Sequence, residues 1–102
     1  TPWPCFVIAV RQEFIDNEKD VLKKILEIIN TTTYDFKNIP SIDKTIANRY
    51  EQKLVDVEQW LSITEWSQEQ ISEKIINNVQ SKLFSLNIIS KTLNYNQIIE
   101  NI

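Results

Sequence analysis

The stretch "CFVIAV", residues 5–10, decides the fold that we predict from this sequence. It is continuously apolar, rich in β-branched side chains, and bounded by Pro2, Pro4 and Arg11. Such a run is typical of a strand that is buried on both faces beneath covering helices. We therefore expect a strand over residues 5–11. Because a lone strand cannot satisfy its own backbone, its partner must come from a missing part of the protein or from a second copy.

After the predicted strand, the apolar residues recur at helical spacing. The pattern predicts a short helical turn over residues 11–15 and then five helices, over residues 17–36, 41–51, 56–63, 67–86 and 94–101. Their expected N-caps are Asn17, Ser41, Asp56, Ser67 and Asn94. The predicted fold class is mainly α, with one strand followed by about five helices in a single unit, residues 1–102. Since a sheet is needed to cover such a strand, the order is typical of a fragment of an α/β protein.

Three residue types are scarce or missing, and each absence excludes a class of chemistry. The 102 residues contain no histidine, no glycine and one cysteine, Cys5. Imidazole catalysis, glycine-rich phosphate loops, zinc spacings and intrachain disulfides are therefore excluded. We expect Cys5 to be a small buried apolar residue. The sequence predicts no enzyme, no catalytic or metal-ligating residue, and no cofactor.

Charge and hydropathy narrow the classes of partner. The net charge is −3, whereas nucleic-acid-binding proteins usually cluster Lys and Arg on one face. No apolar run approaches the ~18 residues of a membrane-spanning helix. We therefore expect neither nucleic-acid binding nor a membrane span.

Without glycine, the helices must end on other residues. Asparagine tolerates the left-handed conformation best among those present. We expect it to serve at Asn30, Asn38, Asn48 and Asn87.

The tryptophans are the most conspicuous side chains. We expect Trp60 and Trp66 to pack in the core. Trp3 precedes the predicted strand between two prolines, so ligand contact at a strand end and simple packing both stay open. Arg11 could bind an anionic ligand, but we favour a solvated arginine at the end of the strand.

Four stretches carry a family resemblance: "PWPCFVIAVRQEF" at 2–14, "NEKDVLKKILEIINTTTYDF" at 17–36, "IDKTIANRYEQKLVDVEQWLSITEWS" at 42–67 and "LFSLNIISK" at 83–91. Their order and spacing resemble the C-terminal part of ABC-transporter-type solute-binding proteins. The most similar subgroup includes nitrate, aliphatic-sulfonate and thiamine-pyrimidine-type binding proteins.

The resemblance implies a fragment of a two-lobed periplasmic-binding-protein fold that binds a small-molecule ligand without chemistry. This chain would supply the hinge strand and buttressing helices, with Thr1, Trp3, Pro4 and Cys5 near the ligand, and an ABC permease as partner. The parent would be periplasmic or lipid-anchored if exported, and a cytoplasmic location stays open. The alternative is a stand-alone helical interaction module that forms a homodimer through Cys5–Val10.

Overall fold

The computed structural model describes residues 3–102, and over this range the chain is mainly helical, as predicted. Within residues 3–102, six α-helices and one 3-10 turn, Phe36–Asn38, follow one another without a strand. The α-helices are α1 (Gln12–Asn17), α2 (Lys19–Tyr34), α3 (Ile42–Arg49), α4 (Leu54–Ile63), α5 (Glu73–Ser85) and α6 (Tyr95–Ile98). The contacts divide the chain into two compact units, one of Asp20–Gln68 and the other of the segments that flank it on both sides.

The strand expected over residues 5–11 is not present in the described part of the chain. Residues 4–10 belong to no helix or strand. The predicted burial of this segment is wrong as well, because Phe6 is 94% exposed, Val7 60% and Ile8 54%. The physical reason is that a strand needs a second strand for its hydrogen bonds, and residues 3–102 supply none. The assignment to a fragment of an α/β fold therefore stays a prediction.

The unit of residues 20–68 has a small core where α3 packs against α4. Ala47, Val57 and Leu61 are its buried residues. Val57 and Leu61 lie four residues apart, so one face of α4 carries both. Partly buried apolar side chains pack around them: Phe36, Ile42, Ile46 and Trp66.

Trp66 is the centre of an aromatic cluster beside this core. Its ring centroid lies 5.0 Å from that of Phe36 and 5.9 Å from that of Trp60, both in edge-on geometry. The expected core position of Trp66 agrees with its partial burial. Trp60 differs from the expected core position, because 44% of it is exposed.

In the other unit, α5 begins at Glu73, six residues later than its expected start. The expected capping pair of Ser67 and Gln70 does not begin the helix. Instead Ser72 is the N-cap, and its hydroxyl accepts a hydrogen bond from the Ile75 N–H at 3.3 Å. The Gln70 side chain donates to the Glu100 carbonyl at 3.2 Å. It therefore binds a segment 30 residues away and does not cap the start of a helix.

Left-handed backbone occurs at one of the four expected asparagines. Asn87, just after α5, has φ 58°. The other three lie inside helical segments, Asn30 in α2, Asn38 in the 3-10 turn and Asn48 in α3. The other left-handed residues among those described are Ser41 (φ 57°) and Glu51 (φ 52°), which begin and follow α3.

Candidate functional site

The residues predicted to bind a ligand lie at the start of the chain. Thr1 lies outside the described residues. Trp3 is half-buried, whereas Pro4 and Cys5 are exposed. Exposure of Cys5 corrects the expectation that it is a buried core residue. The two clefts described for this chain are lined by other residues, so the structure does not bring this quartet together around a cavity.

The segment that follows them is an exposed apolar surface. Phe6, Val7 and Ile8 are all more than half exposed. The backbone hydrogen bonds of the described loops and turns begin with Phe14 and Ile15, which donate to the Arg11 carbonyl, and they do not include residues 6–10. Apolar side chains and unpaired backbone groups therefore coincide in one short segment. We call residues 6–10 the apolar arm.

Arg11 ends the apolar arm as a solvated residue, as favoured from the sequence. Its guanidinium pairs with Glu13 at 3.0 Å, and both side chains are largely exposed. Such exposed pairs contribute little to stability. Arg11 therefore carries no anion site in this structure.

A polar cleft of about 540 Å³ lies beside α5 and α6. Its lining includes Glu73, Asn77 and Ser81 from α5, and Asn94 and Asn96 from the C-terminal segment. Amides and hydroxyls can both donate and accept hydrogen bonds. The lining therefore suits a neutral polar ligand better than an anion, because its charged group is a carboxylate.

Gln80 holds the two sides of this cleft together. Its side chain donates to the Leu93 carbonyl at 3.0 Å and accepts from the Leu93 N–H at 2.7 Å. Tyr95 adds a second tie, because its hydroxyl donates to the Ile71 carbonyl at 2.5 Å. Neither hydrogen-bonded tie has a signal in the local sequence, because the partners are backbone groups 13 and 24 residues away.

A second, smaller cleft of about 300 Å³ lies in the unit of residues 20–68. Lys37, Asp43 and Glu58 line it together with aliphatic side chains. Lys37 pairs with Glu65 at 3.0 Å. Charges of both signs and this pairing leave the cleft without a clear preference for one ligand class.

Residues 3–102 contain no group of three or more His, Cys, Asp or Glu residues placed to hold a metal ion. No helix in this range has the length and hydropathy needed to span a membrane.

Comparisons of this chain with protein-family models, with curated proteins and with solved structures gave no match. The resemblance to solute-binding proteins therefore stays a prediction.

Proposed function

We propose that this chain is a non-catalytic interaction module that associates with a second copy of itself through the apolar arm. The observation that carries the proposal is the coincidence of exposed apolar side chains and unpaired backbone in residues 6–10. Two such arms, running antiparallel across a two-fold axis, would provide each other with the missing hydrogen bonds.

The residue order of the arm suits pairing with itself. With the axis through a non-hydrogen-bonded pair of Val7 with Val7 of the second copy, Phe6 lies opposite Ile8 of the second copy, and such a pair of an aromatic and a β-branched side chain stabilises antiparallel strands. Residues 1–10 carry no charged side chain, and Arg11 lies opposite Trp3 of the second copy. No like charges meet in this arrangement, which would otherwise oppose association. Because a two-stranded ribbon is marginally stable in water, we expect association to be weak and to depend on protein concentration.

Val7→Asp is expected to raise the dissociation constant of this pairing about tenfold, because the valine pair is lost and two carboxylates would lie opposite each other across the axis. Ile63→Asp is the matched control, since Ile63 is 76% exposed and lies in α4. Sedimentation equilibrium over a concentration series measures both. Equal loss of association in the two variants would contradict a specific role for the arm.

Ile8→Pro distinguishes backbone pairing from loose apolar contact. It keeps an apolar side chain but removes one N–H donor from each strand, the donor to the Phe6 carbonyl of the second copy. We expect it to weaken association as Val7→Asp does, and to abolish the concentration-dependent protection of amides 6–10 from hydrogen exchange. Undiminished association would rule out strand pairing.

As a second proposal, the chain contributes to binding a small polar solute, the function that the resemblance to solute-binding proteins implies. The polar cleft beside α5 supports it, because its volume of about 540 Å³ is within the usual range for ligand sites. Its amide and hydroxyl lining suits a neutral polar solute.

Asn77→Leu tests the cleft, because it replaces a lining amide by an apolar side chain. N-acetylglucosamine, a neutral probe with both an amide and hydroxyls, is expected to raise the melting temperature of the wild type but not of this variant. Asn78→Leu is the matched control, since Asn78 is an exposed residue of the same helix outside the lining. No thermal shift in the wild type would contradict binding of this probe class in the cleft.

A further inference from the structure

Helix α2 carries two apolar stripes with the same spacing. Leu22, Leu26 and Ile29 form the inner one and are buried or half-buried, Leu22 at 3% exposure. The outer stripe is Val21, Ile25 and Ile28, which are 45%, 42% and 66% exposed. A helix that packs against one layer needs a single stripe. The outer stripe is therefore apolar surface that residues 3–102 leave uncovered.

The outer stripe has the spacing of a coiled-coil seam. Its residues, followed by the exposed Thr32, are separated by four, three and four positions, which alternates like the core positions of a heptad repeat. The 16 residues of α2 extend about 24 Å, room for two heptads. We call Val21, Ile25, Ile28 and Thr32 the outer seam.

We propose that the outer seam binds the same seam of a second copy, with the two helices antiparallel. This inference extends the proposed function to a second surface and does not depend on pairing of the apolar arm. In the register that aligns the seams, Ile25 lies opposite Ile28 of the second copy, and Val21 packs on the methyl group of its Thr32. A parallel pair would instead place the two Thr32 hydroxyls together.

The charges of α2 favour the antiparallel arrangement. Its last turn has no basic residue to balance the negative end of the helix dipole. In the antiparallel pair, Lys19 of one copy lies beside that end of the other copy, near its Tyr34, where a cation is stabilising. Lys24, which flanks the seam, lies beside Thr31 of the second copy. No like charges are opposed along the contact.

A membrane surface is the other occupant that an amphipathic helix suggests. Helices that lie in the membrane interface usually carry aromatic residues on the apolar face and many basic residues opposite. The outer seam is entirely aliphatic apart from Thr32, and the chain has a net charge of −3. Both features favour a second helix. Four side chains bury less surface than the ~800 Å² per partner of a standard interface. We therefore expect association in the micromolar range.

Ile28→Glu tests the seam in the full chain. It should raise the dissociation constant of this contact about tenfold or more, since a carboxylate would be buried between the helices. The side chain is largely exposed in one copy, so far-UV circular dichroism of the variant should match the wild type. Lys23→Glu, an exposed position of α2 outside the seam, is the control. Sedimentation equilibrium over a concentration series measures the average mass of each variant. Equal average masses for Ile28→Glu and Lys23→Glu would overturn the proposal.

Combining Ile28→Glu with Val7→Asp separates the two surfaces. We expect the wild type to form species larger than a dimer, each single variant to stop at a dimer, and the double variant to be a monomer. If Val7→Asp changes nothing while Ile28→Glu lowers the mass, the arm is not an interface and the seam stands. The reverse pattern overturns the seam and leaves the proposed function intact.

Cysteine cross-linking tests the orientation. In a Cys5→Ser background, a mixture of Ile25→Cys and Ile28→Cys chains should form mainly the mixed disulfide, because these positions face each other in the antiparallel register. Predominance of the two symmetric disulfides, or a statistical mixture, would overturn that register. Binding to phosphatidylcholine–phosphatidylglycerol vesicles that is lost in Ile28→Glu, with no change in mass, would overturn the protein partner.

Discussion

Leu61→Ala is expected to lower the free energy of unfolding of the unit of residues 20–68 by about 2–4 kcal/mol. Leu61 is 9% exposed and belongs, with Ala47 and Val57, to the only core cluster found among the described residues. A core this small has few side chains that can move to fill the space left by the truncation. Since small domains are marginally stable, the loss is a large fraction of the total.

Urea denaturation followed by tryptophan fluorescence measures this change, because Trp66 packs against the core that contains Leu61. Ile63→Ala is the matched control, a comparable aliphatic truncation two residues later in α4. Ile63 is 76% exposed, so its truncation should change stability by less than about 0.5 kcal/mol. Similar midpoints for the two variants would mean that the cluster around Leu61 contributes little.

The helices that follow from local pattern were the predictable part of this fold. Residues 17–36 were expected to be helical and α2 extends over Lys19–Tyr34, because its apolar spacing repeats over four turns. The last helix is similar, since Asn94 precedes α6 as expected and its N–H donates to the Gln97 side chain at 2.9 Å. In both helices, the predicted and the observed ends differ by only a few residues.

The failed predictions depended on contacts that local sequence does not contain. The composition of residues 5–10 favours a strand, but a strand exists only with its hydrogen-bond partner, and none is present in residues 3–102. Ser67 with Gln70 has the form of a capping pair, yet Gln70 bonds to Glu100, 30 residues away. The capping pair therefore does not form, because Gln70 makes a hydrogen bond with a distant segment instead.

The candidate surfaces, like the helices, depend partly on local sequence pattern and partly on contacts between distant segments. The seam residues of α2 have a helical period visible in the sequence, but only the structure distinguishes the covered stripe from the exposed one. The polar cleft had no sequence signal, because mid-helix amides such as Asn77 are usually solvated. Its lining comes from two segments, α5 and residues 92–96, that the fold brings together.

Gln80→Met is expected to lower the free energy of unfolding by about 2–3 kcal/mol, since it leaves the Leu93 N–H and carbonyl without their partner. Methionine has nearly the same length as glutamine and can fill the site, so the loss reports the hydrogen bonds rather than a cavity. Gln80 is 9% exposed, which limits replacement of these bonds by water. Thermal or urea unfolding measures the change. Asn78→Met, at an exposed position of α5, should be within about 0.5 kcal/mol of wild type.

Gln80→Glu separates the two hydrogen bonds by pH. An ionised carboxylate can still accept from the Leu93 N–H at the Gln80 position, but it would repel the Leu93 carbonyl that the amide now donates to. Its protonated form can donate to that carbonyl, so folding favours the protonated state and raises the pKa of the new carboxyl above its unfolded value. The folded state then binds more protons than the unfolded state, and stability should fall as pH rises from about 5 to about 7. If the free energy of unfolding of the variant depends on pH as that of the wild type does, the hydrogen bond to the Leu93 carbonyl contributes nothing to stability. If the variant is as unstable at about pH 5 as at about pH 7, the contribution of Gln80 to stability comes from packing.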